Sequence, residues 1–102
     1  RLQLNKENKM KPSKLYHCTT QKKARLYRES GHIIKPVRGF DNFQAALAWC
    51  VKTGRTVILE LDGWEQDDIH KLPDHHNRYG NAFWVDKNVT SWKGVFDASS
   101  DA

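Results

Sequence analysis

The sequence predicts one small α+β domain, with about five short strands in a mixed or antiparallel sheet and two helices. Its 102 residues are an ordinary length for a single hydrophobic core. Helical patterns are concentrated in the first half of the chain, strand patterns in the second, and no internal repeat is visible. This segregation favours α+β over a doubly wound α/β fold, in which strands and helices alternate.

The domain is predicted to span residues 15–97, between a basic flexible tail over residues 1–14 and a frayed tail over residues 98–102. The first 14 residues hold five basic residues and one glutamate, which is +4 of the net charge of +5. They show no hydrophobic periodicity, and polar, lysine-rich segments of this kind are commonly disordered.

The first strand is predicted over Leu15–Cys18. Either Thr19 or Thr20 can cap the helix predicted over Gln21–Ser30, because a threonine hydroxyl accepts from a free backbone N–H of the first turn. Gly31 is a natural residue to end this helix.

The following segment, residues 35–40, predicts an irregular or edge strand, because Pro36 and Gly39 are poorly suited to a central one. Asp41 is the predicted N-cap of the clearest helix, and Gln44 completes its capping box. The helix has one apolar face, made by Phe43, Ala46, Leu47, Cys50 and Val51. Gly54 ends it.

The clearest strand is predicted over residues 55–61, where apolar side chains alternate. Residues 64–81 are the least regular part of the chain, and a loop of this length is usually functional or mobile. Two more short strands are predicted over residues 82–85 and 92–96.

Several classes of protein are excluded by composition and motif. No run approaches ~18 apolar residues, so we predict no transmembrane helix and no membrane partner. No phosphate loop, dinucleotide fingerprint, nucleophile elbow or CxxC motif is present. The spacing of His70, His75 and His76 matches no zinc motif, and we predict no metal site. Cys18 and Cys50 in apolar surroundings, with no visible signal peptide, predict reduced thiols and a cytoplasmic protein.

Basic side chains cluster early in the chain and acidic ones later. A surface for DNA or RNA is predicted from these basic residues and one later arginine: Lys22, Lys23, Arg25, Arg28, Arg38 and Arg78. An ordinary solvated face is the alternative interpretation, and it stays open. Carboxylates that could serve acid–base chemistry are present, with exposure to solvent as the default interpretation: Glu60, Asp62, Asp74 and Asp86.

The order of these features resembles the N-terminal half of the ADP-ribosyltransferase superfamily, which includes histidine-type transferases, DNA-modifying toxins and RNA 2′-phosphotransferases. The resemblance is carried by Leu15-Tyr16-His17-Cys18-Thr19 at a strand exit, by Gly39-Phe40-Asp41-Asn42, and by the alanine-rich helix Ala45-Ala46-Leu47-Ala48-Trp49. The resemblance implies NAD as the cofactor. It implies that His17 donates to a ribose hydroxyl, that Thr19 supports the nicotinamide-ribose end, and that Phe40 or Tyr79 stacks near the nicotinamide.

The same resemblance implies a catalytic position at the start of a late strand, where these transferases commonly carry a glutamate. The matching position holds Asn81, and Asp86 is an acid five residues later. Together with His17, these are the predicted catalytic residues. The predicted function is an NAD- or nucleotide-binding ADP-ribosyltransferase-like domain with nucleic acid as one possible substrate, and whether it is an active enzyme stays open.

Three alternatives remain. The first alternative is a non-catalytic nucleic-acid-binding module that uses its basic tail and first helix. The second is a protein-interaction domain that uses the acidic segment 64–74. In the plainest interpretation, His17 is a half-buried strand residue bonded to a neighbouring carbonyl, and Thr19 and Thr20 only cap a helix.

Overall fold

The structure, a computed structural model, describes residues 11–98. Within this range it confirms the α+β class, with two helices and a six-stranded sheet. The strands are β1 (Leu15–Thr19), β2 (Val37–Phe40), β3 (Val57–Asp62), β4 (Ile69–Asn77), β5 (Gly80–Val85) and β6 (Ser91–Asp97). The helices are α1 (Gln21–Ser30) and α2 (Phe43–Thr53), and a short 3₁₀ turn covers Gln66–Asp68.

The strand order is β4-β5-β2-β1-β3-β6, and every neighbouring pair is antiparallel. Strand β2 therefore lies inside the sheet, between β1 and β5, and the prediction of an irregular or edge strand at residues 35–40 is wrong. Pro36 precedes the strand, so its missing N–H costs the ladder nothing. Gly39 is required by close approach, because a Cβ there would lie 2.9 Å from Leu15 Cβ.

Strand β4 occupies part of the segment predicted as a loop, and this is a second correction. It forms the edge of the sheet and pairs with β5, with a shift of register between Leu72 and Asn77. An edge strand tolerates Pro73, because only one side of the strand needs N–H donors. Its mostly polar side chains alternate too weakly to predict a strand.

Each face of the sheet is covered by one helix and carries one hydrophobic core. On one face, α1 contributes Ala24 to a core with Leu15, Leu59, Leu61 and Val85. On the other, Ala45, Ala46 and Cys50 of α2 pack against Phe40, Ile58 and Ala82. Side chains that alternate along each strand therefore enter two separate cores, as the two-residue period of a strand requires.

Both helices begin at a capping side chain, but the cap of α2 lies one residue later than the sequence predicts. Thr20 accepts from the backbone N–H of Lys23 at the start of α1. The N-cap of α2 is Asn42, which accepts from Ala45 N at 2.9 Å, so the prediction of Asp41 as cap is wrong by one residue. The Asp41 carboxylate instead accepts from Asn81 N at 3.1 Å.

The predicted tails fall mostly on residues 1–10 and 99–102, which lie outside the described residues. Lys11 is hydrogen-bonded to Gln66 and Ile69, and Pro12 O accepts from the Trp64 indole. Among residues 11–98, no helix is long and apolar enough to cross a membrane.

Candidate functional site

The central strands β1 and β2 separate soon after they meet. Their register contains one directly opposed pair, Tyr16 and Phe40, whereas β1 remains paired with β3 along all five of its residues. Where the two strands separate, the His17 side chain is hydrogen-bonded to the backbone of β2, with Nδ1 2.6 Å from Arg38 O. A cleft borders this region, and His17, Cys18 and Arg38 are among its lining residues.

This cleft has a volume of about 470 Å³. Its walls come from the β1–β2 opening, the second half of α2, and the out-of-register segment of β4. The lining residues are His17, Cys18, Arg38, Gly39, Phe40, Ala48, Trp49, Lys52, Arg55, Leu72, Asp74, His75, His76, Asn77 and Ala82.

Positive charge dominates the polar part of the cleft. Arg38, Lys52 and Arg55 are exposed and form no salt bridge with other described residues. Asp74 is the one carboxylate among the lining residues that the structure describes. An anion entering the cleft would therefore meet three cations whose charge is not neutralised by any other residue in the range 11–98.

An apolar floor lies beside these cations. Phe40 and Trp49 place their ring centroids 6.0 Å apart, and Leu72 and Ala82 continue the surface. Flat apolar walls with a few polar groups at the rim are characteristic of sites for small organic ligands.

His17 is neutral in this setting. Burial lowers its pKa from the ordinary value of 6.5, the Arg38 carbonyl opposes that shift, and the charges of Arg55 and Lys23 add to it. Because a carbonyl oxygen only accepts, Nδ1 carries the hydrogen and Nε2 accepts from the Tyr27 hydroxyl, 3.3 Å away. The neutral ring therefore has no N–H left to donate to a ligand.

The lowered pKa of His17 predicts a loss of stability in mild acid. As the pH falls, His17 is protonated in the unfolded chain before it is protonated in the folded protein. The contribution of neutral His17 to the free energy of unfolding is therefore fully present above about pH 6.5 and decreases below that value. The limiting slope is about 1.4 kcal/mol per pH unit, and the fall ends below the folded pKa. Urea unfolding at several pH values measures it. His17→Gln removes this proton and leaves the other histidines, so parallel curves for the two proteins would contradict the assignment.

The residues predicted to bind NAD are only partly brought together. His17 and Phe40 line the cleft. Thr19 is 2% exposed, does not line it, and its hydroxyl has no hydrogen-bond partner among the described residues. Tyr79 is 51% exposed in the turn between β4 and β5, also outside the lining.

Two of the three predicted catalytic residues lie outside the cleft. Asn81 exchanges hydrogen bonds with Asp41, its N–H to the carboxylate and its carbonyl to the backbone N–H, which joins β5 to the start of α2. Asp86 follows β5 and forms an exposed ion pair with Lys35 at 3.7 Å. Of the four carboxylates considered from sequence, Asp74 is the one that lines the cleft.

The residues predicted to contact nucleic acid divide between two surfaces and a turn. Arg38 lies in the cleft. Arg78 lies in the β4–β5 turn, with its Cζ 5.5 Å from the centroid of the Tyr79 ring. The remaining four are exposed on α1, which packs on the opposite face of the sheet from α2: Lys22, Lys23, Arg25 and Arg28.

Several cleft residues were not predicted from sequence as one site. His75 and His76 belong to the segment marked by its irregularity and its histidines, which was the available signal. Trp49 is a helix residue in the resemblance, whereas Lys52 and Arg55 follow the helix without any motif. No group of three or more histidine, cysteine, aspartate or glutamate side chains within residues 11–98 is placed to hold a metal ion.

Comparison with known proteins identifies no relative of this chain. No protein-family model matches the chain, and no significant match is found among curated proteins or among solved structures. The function is therefore inferred from the cleft.

Proposed function

We propose that the cleft binds a nucleotide, with NAD as the first ligand to test, in the manner expected of an ADP-ribosyltransferase-like domain. The observation that supports this is that one cavity is lined both by two aromatic rings and by three cations that form no salt bridge within the part of the chain that the structure describes. The cations complement the anionic phosphate group of a nucleotide, and the aromatic rings complement its flat base.

The cations suit phosphate in complementary ways. Arg38 and Arg55 carry planar guanidinium groups that bind two phosphate oxygens at once, and Lys52 adds a point charge. Phe40, which is 7% exposed, and the partly buried Trp49 line the cavity with their rings and provide apolar surface for a base or a nicotinamide. A volume of about 470 Å³ lies within the range of small-ligand pockets.

His17 acts as a positioning residue in this proposal. Its Nδ1–H holds the Arg38 carbonyl at the point where β1 and β2 separate, and thereby fixes the backbone that carries the Arg38 guanidinium. A transferase step would also need a carboxylate to stabilise positive charge at the ribose. Among the lining residues described, Asp74 supplies that group.

Neutralising one cation of the cleft is expected to weaken binding. We expect Arg55→Gln to raise the Kd for NAD about 10-fold, the usual loss for one charge-assisted hydrogen bond. Arg25→Gln removes an equal charge from the exposed side of α1, outside the cleft, and is expected to leave the Kd unchanged. Isothermal titration calorimetry with NAD, ADP-ribose and ATP measures the constants, and absence of binding by all three would refute the proposal.

Nucleic-acid binding through α1 is a second candidate. It is favoured by one observation: Lys22, Lys23, Arg25 and Arg28 are all exposed and form no salt bridge with other described residues. The same two variants separate the candidates. If an oligonucleotide binds more weakly to Arg25→Gln than to Arg55→Gln, and binding falls steeply with salt, α1 is the binding surface.

A further inference from the structure

A row of three side chains crosses the sheet beside the cleft. Arg38 of β2 is directly opposed to Trp84 of β5, and Trp84 is directly opposed to His70 of β4. Directly opposed residues project from the same face of a sheet, so the three are neighbours on one surface. The rings of Trp84 and His70 are in contact, with centroids 4.6 Å apart and planes tilted by 33°.

Trp84 differs from the other tryptophans of the chain. Trp49, Trp64 and Trp92 each pack against one of the two hydrophobic cores, whereas Trp84 belongs to neither. Both Trp84 and His70 keep part of their surface exposed. The row is therefore a partly open aromatic surface on the sheet.

The next row along the same strands belongs to the cleft. Phe40, Ala82 and Leu72 lie two residues from the members of the first row, are directly opposed in the same way, and line the cavity. Because side chains alternate along a strand, the two rows share one face and are about 7 Å apart. The aromatic row is thus a direct continuation of the cleft floor.

Charge suggests what would occupy this continuation. Arg38 belongs both to the row and to the cleft, and Lys52 and Arg55 continue the positive charge along the cavity. Proteins that bind single-stranded nucleic acid without strong sequence preference combine a cationic track for the backbone with aromatic side chains for the bases. A free mononucleotide would use the cleft and leave the row empty.

We propose that the Arg38–Trp84–His70 row stacks the base next to the one held in the cleft, so that the ligand is a nucleotide within single-stranded nucleic acid. This inference rests on the proposed nucleotide binding in the cleft. It adds a second base position and names the class of partner.

The test compares AMP with a six-nucleotide oligoadenylate as ligands of the full chain. We expect the oligonucleotide to bind at least 10-fold more tightly than AMP. Trp84→Leu is expected to weaken oligonucleotide binding about 10-fold, the loss typical of one stacked base, and to leave AMP binding unchanged. Trp84→Phe keeps a ring and is expected to retain most of the affinity. Leu26→Ala removes an exposed apolar side chain from α1 and serves as the control.

A second test changes the ligand and uses the unaltered protein, so that its result does not depend on whether a variant folds. An oligonucleotide that keeps every phosphate but has one base, with abasic sites elsewhere, is expected to lose the part of the advantage over AMP that stacking of the second base supplies, with the unaltered protein. Equal binding of this ligand and the full oligonucleotide would overturn the inference, and so would an oligonucleotide that binds no better than AMP.

The remaining outcomes separate this inference from the proposed function. If AMP binds and Trp84→Leu has no effect on the oligonucleotide, the row is not a base site, while the cleft remains a nucleotide site. If AMP, NAD and the oligonucleotide all fail to bind, the proposed function fails and this inference with it. If Trp84→Leu instead dissociates a dimer detected by light scattering and leaves the oligonucleotide affinity unchanged, the row is a contact between copies of the chain.

Discussion

Replacing Gly39 with alanine is expected to lower the free energy of unfolding by about 2–3 kcal/mol, the upper part of the range for inserting a methyl group into a packed interior. The added Cβ would lie 2.9 Å from Leu15 Cβ and 3.0 Å from Tyr16 O. Neither atom can move aside easily. Leu15 is fully buried in the core, and Tyr16 belongs to the central strand that is paired with β3.

Gly94→Ala is the matched control for this change. Gly94 also lies in a strand, β6, and apart from its chain neighbours no heavy atom of the described residues lies within 4 Å of the position that its Cβ would occupy. Both substitutions reduce the conformational entropy of the unfolded chain by a similar amount, so the difference between them isolates the steric effect. Urea unfolding of both variants measures it, and equal stabilities would show that β1 and β2 do not approach as closely as described.

Gly39 also belongs to the lining of the cleft. A methyl group that pushes β2 away from β1 would change the separation in which His17 binds the Arg38 carbonyl. We therefore expect Gly39→Ala to weaken nucleotide binding in the molecules that remain folded, whereas Gly94→Ala should not.

Replacing Asn42 with alanine is expected to lower the free energy of unfolding by a similar amount, about 2–3 kcal/mol. The side chain caps α2 by accepting from Ala45 N, and its amide donates to Tyr79 O at 2.7 Å and to the Asp41 carboxylate at 3.0 Å. Loss of an N-cap costs about 1 kcal/mol, and each further hydrogen bond contributes about 1 kcal/mol. The bond to Tyr79 joins α2 to the turn between β4 and β5.

Two variants separate these contributions. Thr20→Ala removes the N-cap of α1, which makes a single bond to Lys23 N, and is expected to cost about 1 kcal/mol. Asn42→Asp keeps the accepting oxygen of the cap, removes the donors to Tyr79 O and to the Asp41 carboxylate, and places a second carboxylate beside Asp41. If Asn42→Ala costs no more than Thr20→Ala in urea unfolding, the side chain is only a helix cap.

The bond between Asn42 and Tyr79 has a consequence for the cleft. It ties the hairpin to α2, and the β4 strand of that hairpin places Asp74, His75 and His76 at the cleft wall. We therefore expect Asn42→Asp to weaken nucleotide binding more than its effect on the helix cap alone would suggest, because the wall loses this bond to the start of α2 and keeps the one from Asn77 Nδ2 to Ala45 O at 3.1 Å.

The elements that sequence predicts well are those specified by neighbouring residues. The bounds of α1, between Thr20 and Gly31, follow from a capping hydroxyl and a glycine that adopts a left-handed backbone conformation. The apolar face of α2 follows from helical spacing, although Asn42 rather than Asp41 caps it. Two acceptors stand side by side there, and the contact of Asp41 with Asn81 decides which of them faces the helix.

The elements that sequence predicts poorly depend on distant partners. Strand β4 has mostly polar side chains and a proline, so its pairing with β5 decides its conformation more than its own residues do. The central place of β2 depends on Gly39, whose small size is useful only because Leu15 and Tyr16 lie against it. A strand partner is chosen by long-range contacts, which local patterns do not encode.

By itself, the sequence determined a single α+β domain and its two helices, and it proposed His17 and Phe40 as site residues. Only the tertiary structure decided that these residues share a cleft with Trp49, Arg55 and Asp74, and that Asn81 and Asp86 lie elsewhere. The reason is physical. Helices and their caps form from groups within a few residues of one another. A cleft forms where strands separate, and the side chains that meet there come from segments far apart in the chain, brought together by the burial of two cores.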